Sequence, residues 1–273
     1  MKILLLGKSG QLGWELQRAL APLGELVALD RDSPAPLSAD LSQPESLAAT
    51  VRAVAPDVIV NAAAYTAVDK AESEPALARA VNAAAPGALA REAAACGAWL
   101  VHYSTDYVFD GSGSAPRDES AATGPLNVYG RTKLEGEETI RASGCRHLLL
   151  RTSWVYGVRG GNFARTMLRL AQERETLKVV DDQIGAPTGA DLLADLTAHM
   201  IRAARADASL SGTYHAVAGG ETSWHGYASH VIAWARAAGL PLRVTEGGIQ
   251  AVPSSEFPLP ARRPLSSRLS TAR

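Results

Sequence analysis

The feature that most constrains the fold is an alternation of short, continuously apolar runs with longer segments of helical pattern. Five such runs occur in the first 155 residues: KILLL (2–6), LVAL (26–29), DVIVN (57–61), WLVHYS (99–104) and HLLLRTS (147–153). Strands that are apolar on both faces are typical of parallel sheets whose two sides are covered by crossover helices. The pattern therefore predicts an α/β fold with a doubly wound parallel sheet.

The helical pattern occupies residues 10–21, 44–54, 75–95 and 127–143 between these runs, and Pro86 predicts a late start or a kink in the third segment. Further on, helices are expected at 162–173, 191–205 and 224–238, and strands at 177–180 and 213–217. We predict a dinucleotide-binding domain at residues 1–155, to which elements at about 185–217 return. Residues 156–184 and 218–273 are expected to form a smaller C-terminal substrate-binding lobe that ends in a proline-rich, irregular tail.

Composition excludes several classes of function. The chain carries 27 basic and 28 acidic residues. It therefore lacks the excess of positive charge that would predict binding to nucleic acid or to an anionic membrane. Cys96 and Cys145 have no metal-ligand or disulfide spacing, which is typical of a reducing, cytoplasmic setting. The apolar run in MKILLLG is too short for a signal peptide or a membrane helix and is better explained as the first strand. We therefore expect a cytoplasmic protein that acts on a small molecule.

The segment GKSGQLG predicts a phosphate-binding turn. It sets Gly7, Gly10 and Gly13 three residues apart, directly after the first predicted strand and at the start of a helix, with Gln11 and Leu12 opening that helix. Glycines let backbone N–H groups approach a pyrophosphate, and the positive end of the helix dipole favours its charge. This position in a strand–turn–helix unit predicts a Rossmann-type fold that binds a dinucleotide.

The residues after the second strand bear on which dinucleotide is bound. Asp30 ends the strand, where a carboxylate would accept a hydrogen bond from a ribose 2′-hydroxyl and favour NADH. Arg31 follows it and could instead pair with a 2′-phosphate, which would favour NADPH. The two residues therefore do not decide between NADH and NADPH, and the use of both is expected. Asp40 and Leu41 are expected near the adenine, and Ala64, Tyr65 and Thr66 follow the third strand, where the small residues of this segment would let the chain pass close to the cofactor.

The fourth strand and the helix after it carry the candidate catalytic residues. Thr105 lies at the carboxyl end of the strand, where ligands bind in open α/β sheets. Tyr129 follows 24 residues later with Lys133 one helical turn beyond it, so the two side chains should share a helix face. A strand-end hydroxyl followed by Y-x-x-x-K is the order found in short-chain dehydrogenases and reductases. This order predicts a catalytic triad that reduces a carbonyl group.

Proton transfer from Tyr129 to a carbonyl oxygen at neutral pH requires that the pKa of its phenol be lowered. A free tyrosine has a pKa of about 10, and lowering it by roughly 3 units requires about 4 kcal/mol. A cation about 4 Å away supplies about that much at an effective dielectric constant near 20. We therefore expect the Lys133 ammonium to lower the pKa of Tyr129 and also to contact the nicotinamide ribose.

With these motifs in place, the sequence resembles the dTDP-4-dehydrorhamnose reductases over nearly its whole length. The resemblance runs through GKSGQLGWELQRAL, NAAAYTAVDKAE, STDYVFDG, YGRTKLEGE, LRTSWVYG and DDQIGAPTGADLLAD. It implies NAD(P)H-dependent reduction of the 4-keto group of a dTDP-sugar, as in dTDP-rhamnose and cell-surface polysaccharide synthesis. It also implies that Asp106, Tyr107 and Trp154, together with Thr105, line the substrate site.

The resemblance has two further implications at the surface and the tail. It suggests a homodimer bridged by Mg²⁺, for which Glu15 and Asp191 are the matching carboxylates. The ending RRPLSSRLSTAR departs from the family pattern, since Arg268 and Ser270 stand where a hydrophobic and an acidic residue are expected. This departure leaves the packing of the tail open.

Four other functions compete with this one. A sugar-nucleotide dehydratase of the same fold would need Thr-Asp-Glu where this chain has Thr105-Asp106-Tyr107, while an epimerase is excluded less firmly. A non-catalytic regulatory subunit of the same fold, like that of methionine adenosyltransferase, would bind the dinucleotide without turnover, and the intact triad argues against it. A serine hydrolase is excluded because no G-x-S-x-G motif occurs.

Overall fold

The fold is seen in a computed structural model that describes residues 1–34 and 36–273. Its strands are β1 Lys2–Leu6, β2 Glu25–Leu29, β3 Val58–Asn61, β4 Trp99–Thr105, β5 Arg146–Thr152, β6 Val155–Tyr156, β7 Leu177–Val180, β8 Ile184–Gly185, β9 Thr188–Gly189, β10 Gly212–His215, β11 Thr222–Ser223 and β12 Ile249–Val252. Its α-helices are α1 Gln11–Leu20, α2 Pro44–Val54, α3 Val68–Ala71, α4 Pro75–Arg79, α5 Ala85–Cys96, α6 Val128–Ala142, α7 Phe163–Glu173, α8 Ala190–Ala206 and α9 Trp224–Ala237.

The central sheet has six parallel strands in the order β10-β5-β4-β3-β1-β2. The predicted doubly wound parallel sheet is therefore confirmed. The chain leaves β1 for β2 on one side and later returns to place β3 on the other side. The carboxyl ends of β1 and β3 thus flank the point where the strand order reverses, which is where ligands bind in such sheets.

The two faces of the sheet bury separate hydrophobic clusters. Leu4, Leu6 and Ile59 point to the face covered by α2, α5 and α6, whereas Ile3 and Leu5 point to the face covered by α1 and α8. This alternation explains why both positions of each strand are apolar. A third cluster, built around Met167 and Ile232, joins α7 and α9 to the β7–β12 pair.

The third predicted helix differs from expectation in its middle. Helices α4 and α5 are joined by one π-helical turn, Ala80–Ala84, so the chain stays helical from Pro75 to Cys96. Pro86 stands in the first turn of α5, where its missing N–H costs little because the wider turn precedes it. The local change is therefore a widened turn.

The second half of the chain contributes to both parts of the molecule. Strand β10 lies beside β5 in the central sheet, and α8 packs against α1. The domain boundaries given above stay a prediction. Within the described residues, no helix has the length and apolar character needed to cross a membrane.

The tail is irregular after the short turn Ser254–Glu256, but its last part is held by backbone hydrogen bonds. On one side, Ile184 N donates to Leu265 O at 2.9 Å and Ser267 N donates to Ile184 O at 2.7 Å. On the other side, Arg117 N donates to Arg268 O at 3.0 Å and Ser270 N donates to Arg117 O at 2.7 Å. Arg268 also forms an ion pair with Glu221, so the arginine that departs from the family pattern has a partner.

Candidate active site

The glycine turn lies between β1 and α1 at the reversal of strand order. Gly7 has a φ of +89°, a conformation that glycine adopts without strain, and a Cβ there would lie 2.9 Å from Ala63 N. A Cβ on Gly13 would lie 1.9 Å from Gly7 O, so the first turn of α1 packs directly on the loop. The free N–H groups at the start of α1 are therefore held beside the cleft, where an anion would meet them.

One cleft of about 730 Å³ contains almost all of the predicted cofactor residues. Its lining includes Gly7, Gly10, Gln11, Leu12, Asp30, Arg31, Asp40, Leu41, Ala64, Tyr65, Thr66, Tyr129 and Lys133. Gly13 alone among the cofactor candidates lies outside the lining, because its contact is with the Gly7 carbonyl. The cleft joins the glycine turn to the Tyr–Lys pair along the carboxyl ends of β1, β3 and β4.

At the rim of the cleft, Asp30 and Arg31 differ in how they are held. Asp30 accepts a hydrogen bond from Ser33 Oγ at 3.3 Å, which orients its carboxylate. The Arg31 side chain is 77% exposed, and its Nε lies 3.7 Å from Asp32 Oδ1. The guanidinium is thus free to turn toward a group bound beside it.

The turn that carries Ala64, Tyr65 and Thr66 is held by a residue that the sequence analysis did not identify. The buried Asn82 side chain accepts a hydrogen bond from Tyr65 N at 2.9 Å and donates one to Tyr65 O at 3.1 Å. Asn82 lies in the π-helical turn, which is packed against α6. An asparagine inside an alanine-rich helical segment was the available signal, since such a residue usually prefers caps and turns.

The candidate catalytic residues come from the end of β4 and the first turns of α6. Asn127 caps α6 by accepting a hydrogen bond from Gly130 N at 2.8 Å, which fixes where the helix begins. Tyr129 and Lys133 follow on one face and both line the cleft. Buried Thr105 donates to Asp106 Oδ1 at 3.0 Å, and its side chain lies near enough to the Tyr129 phenol to act on the pKa of that group. The structure therefore brings the three predicted residues together.

The expected lowering of the Tyr129 pKa by Lys133 is wrong in this structure. Desolvation by burial, with a smaller contribution from the Asp106 charge, raises the pKa of Tyr129 to about 12, and the neighbouring Thr105 side chain offsets this only in part. The Lys133 ammonium group is directed elsewhere, since Nζ donates to Tyr103 O at 2.6 Å and lies 3.2 Å from His102 Nε2. Burial also lowers the pKa of Lys133 to about 8. The cost of burying both groups, which the distance between the charges does not reveal, therefore outweighs their attraction.

The predicted substrate residues lie outside the lining of this cleft, on the side of Thr105 and β6. The Tyr107 ring meets the Tyr129 ring edge to face, with centroids 5.7 Å apart. Asp106 is buried, and burial raises its pKa to about 6. Trp154 has a φ of +48°, a strained value for a bulky residue, and stacks on Trp224 with centroids 3.5 Å apart.

The structure does not support the Mg²⁺ site suggested for Glu15 and Asp191. Glu15 is paired with Arg18, whose Nε lies 3.4 Å from Glu15 Oε2. Among the residues described, no group of three or more potential ligands is arranged to hold a metal ion.

The fold and the site together define a short-chain dehydrogenase/reductase of the Rossmann type. A family model described as the RmlD substrate binding domain matches residues 1–273. A dTDP-4-dehydrorhamnose reductase of Salmonella typhimurium is 59% identical over 271 residues, which cover 99% of this chain and 90% of that protein. The chain belongs to this family, that of the dTDP-4-dehydrorhamnose reductases.

Solved structures agree with this assignment. A dTDP-4-dehydrorhamnose reductase of Clostridium acetobutylicum is 36% identical, with a TM-score of 0.89 and coverage of 99% of this chain and 90% of that one. The Bacillus anthracis reductase, solved in complex with NADP, is 34% identical, with a TM-score of 0.88 and the same coverage. A UDP-glucose 4-epimerase of Thermus thermophilus has a TM-score of 0.78 at 20% identity over 99% of this chain and 91% of that one, so it shares the fold alone.

Proposed function

We propose that this protein uses NAD(P)H to reduce the 4-keto group of dTDP-4-dehydro-L-rhamnose, forming dTDP-L-rhamnose. The observation that carries the proposal is the cleft that joins the glycine turn of β1 to Tyr129 and Lys133 of α6, with Thr105 beside the phenol. The names of relatives up to 59% identical support the choice of substrate.

The residues of the cleft fit a dinucleotide. The turn has no Cβ atoms where Gly7 and Gly10 face the cleft, and the first N–H groups of α1 can receive the pyrophosphate. Asp40 and Leu41 would contact the adenine, and Ala64 to Thr66 would contact the nicotinamide half. When bound, the reduced nicotinamide supplies the hydride.

The chain's own residues would then handle the substrate oxygen and its proton. Thr105 would hold the carbonyl oxygen beside the Tyr129 hydroxyl, which contributes orientation rather than acidity. Tyr129 would donate its proton to that oxygen as negative charge develops there. With a pKa of about 12 the phenol is protonated at neutral pH, so its proton would move only as hydride transfer makes the substrate oxygen basic. Asp106, Tyr107 and Trp154 would line the sugar side.

The assay follows the loss of absorbance of the reduced cofactor when purified protein is mixed with dTDP-4-dehydro-L-rhamnose. We expect stoichiometric oxidation of NAD(P)H and formation of dTDP-L-rhamnose. An epimerase would instead change the sugar without net consumption of cofactor. A regulatory subunit would bind NAD(P)H and leave it reduced with any sugar nucleotide offered, and either result would refute the proposal.

For the choice of cofactor, we propose that both NADPH and NADH are used. Asp30 can accept from a ribose 2′-hydroxyl, and the exposed Arg31 guanidinium can reach a 2′-phosphate. A hydrogen bond to a charged group contributes about 1.5–3 kcal/mol, so Arg31→Ala should raise the KM for NADPH by roughly 10-fold or more. The KM for NADH should hardly change, and an equal rise for both cofactors would argue against this role.

We also propose a homodimer formed through α1 and α8. These helices present Trp14, Leu192 and Leu196 at the surface, with 42%, 48% and 36% of each residue exposed. Sedimentation equilibrium should give twice the chain mass, and Leu192→Glu should give the mass of one chain. A monomeric wild-type protein, with or without added Mg²⁺, would contradict this arrangement.

A further inference from the structure

The buried residue His102 has no part in the function proposed above, yet it lies against a catalytic side chain. It lies in the middle of β4, is 1% exposed, and its Nε2 is 3.2 Å from Lys133 Nζ. Its other ring nitrogen, Nδ1, is 3.1 Å from Nδ2 of Asn61, which ends β3. The paired register of β3 and β4 places Asn61 directly beside His102. We call these three residues the Asn61–His102–Lys133 chain.

The direction of the hydrogen bonds in this chain is set by the backbone. Ala63 N donates to Asn61 Oδ1 at 3.2 Å, so the amide oxygen of Asn61 is turned toward Ala63. The amide nitrogen therefore faces His102, and an amide NH₂ group can only donate. His102 Nδ1 must accept, which means that it carries no hydrogen.

The remaining hydrogen of the imidazole then lies on Nε2. Burial and the neighbouring Lys133 charge hold the pKa of His102 well below its usual range, so the ring is neutral and has one N–H. That N–H points at Lys133 Nζ. An ammonium group has no lone pair to accept it, whereas a neutral amine has one.

We propose that His102 is a positioning residue that favours the amine form of Lys133 and thereby sets the pH range of the reaction. The contact with Tyr103 O is available to either form of Lys133, because both carry N–H donors. The opposing influence is Glu137, one turn further along α6, whose charge favours the ammonium. Glu137 is itself engaged by Arg151, Arg141 and Ser104, so its charge is largely taken up by these partners.

The equilibrium between the amine and ammonium forms of Lys133 matters because Tyr129 becomes a phenolate once it has given up its proton. An ammonium form of Lys133 stabilises that negative charge, and a group that gains and loses a proton near neutral pH can also help to return one. A permanently charged lysine could not do the second task. The pKa of about 8 produced by burial agrees with such a balance.

The first test measures the tautomer directly and does not depend on the proposed function. Long-range ¹H–¹⁵N NMR of the ligand-free protein at pH 7 distinguishes protonated from unprotonated ring nitrogens, and His102→Gln identifies the signal among the six histidines. We expect the hydrogen on Nε2. In Asn61→Asp the carboxylate accepts from the ring, so the hydrogen should move to Nδ1. A wild-type ring with the hydrogen on Nδ1, or no change in Asn61→Asp, would overturn the proposal.

The second test uses the pH profile of kcat/KM and rests on the proposed function. Activity should fall as pH rises through the pKa of Lys133, since the ammonium form is then lost. Removing the N–H donor in His102→Leu should move this limb to higher pH by at least about half a unit, equivalent to a 3-fold change in the proton affinity of Lys133. The control His147→Leu, on the neighbouring strand β5, should leave the limb in place. A limb that stays in place or moves to lower pH in His102→Leu would overturn the inference, because the imidazole would then be accepting from an ammonium.

Discussion

Tyr129 is the residue on which the proposed proton transfer depends, and its surroundings keep the proton in place. Burial raises its pKa to about 12, and the neighbouring Thr105 side chain offsets this rise only in part. The hydroxyl is therefore protonated at neutral pH, and it should lose its proton only to a more basic oxygen such as a developing alkoxide.

Replacing Tyr129 by phenylalanine removes the proton donor and little else. Because general acid catalysis typically contributes about 10²–10⁴-fold, Tyr129→Phe should lower kcat by at least about 100-fold. Binding of NADPH, measured by fluorescence titration, should stay within about 3-fold of wild type. Full activity in this variant would end the proposed role of the phenol.

Asp106 provides a prediction about stability. Burial raises its pKa to about 6 from an ordinary value of 3.8, so the folded protein binds this proton more tightly than the unfolded chain does. The resulting stabilisation is fully present below about pH 4 and is lost as pH rises through 6, and it amounts to roughly 3 kcal/mol at 1.36 kcal/mol per unit. Asp106→Asn should remove this pH dependence.

Urea unfolding at pH 4 and pH 7 measures the effect. The free energy of unfolding of Asp106→Asn minus that of wild type should be larger at pH 7 than at pH 4. The same difference at both pH values would contradict a raised pKa.

At the scale of elements, the position of α6 depends on its contact with the π-helical turn Ala80–Ala84. Gly136 lies opposite Asn82, and a Cβ on Gly136 would lie 2.2 Å from Asn82 O. Asn82 in turn holds the Tyr65 backbone, so one contact connects the helix that bears Tyr129 and Lys133 with the turn that lines the cleft.

Gly136→Ala should therefore push α6 and the π-helical turn Ala80–Ala84 apart. Overpacking typically costs about 1–3 kcal/mol, and the shift of the Tyr65 turn should also raise the KM for the cofactor. Gly219→Ala is the matched control, because no atom lies within 4 Å of a Cβ at that position. If both variants unfold at the same temperature with unchanged KM, the contact has no such role.

Most elements could be predicted from the sequence because their physical causes are local. The apolar runs predict β1 to β5 within one residue at each end, and α2 was predicted with its observed bounds. The packing of the π-helical turn could not be predicted, since it brings Asn82 against Gly136, 54 positions further along the chain. The pKa of Tyr129 and the contact of His102 with Lys133 likewise depend on burial and strand register, which composition and spacing do not reveal.

At the scale of the whole molecule, the segment 264–270 connects regions that are distant in sequence. It forms backbone hydrogen bonds with Gly111 and Arg117 after β4 and with Ile184 of β8. The hydrophobic cluster of α7 and α9 is separate from the two clusters of the sheet, so these backbone hydrogen bonds add a connection between chain regions that do not share one core.

Deletion of residues 264–273 should uncouple these regions. We expect the single thermal transition of the full chain, measured by differential scanning calorimetry, to become two transitions. Deletion of residues 271–273 alone keeps the bonds to Arg117 and Ile184 and should keep one transition. A single transition after the longer deletion would show that other contacts are sufficient.

The exposed guanidinium of Arg31 has an evolutionary consequence. It contributes little to folding, since its side chain is 77% exposed and its carboxylate neighbour Asp32 is exposed as well. Substitutions at this position can therefore accumulate without endangering the native state. Descendants of this chain could in this way change their preference between NADPH and NADH. Substitutions in the helix that bears Tyr129 are less well tolerated, because its buried residues contribute to folding as well as to the proposed reaction.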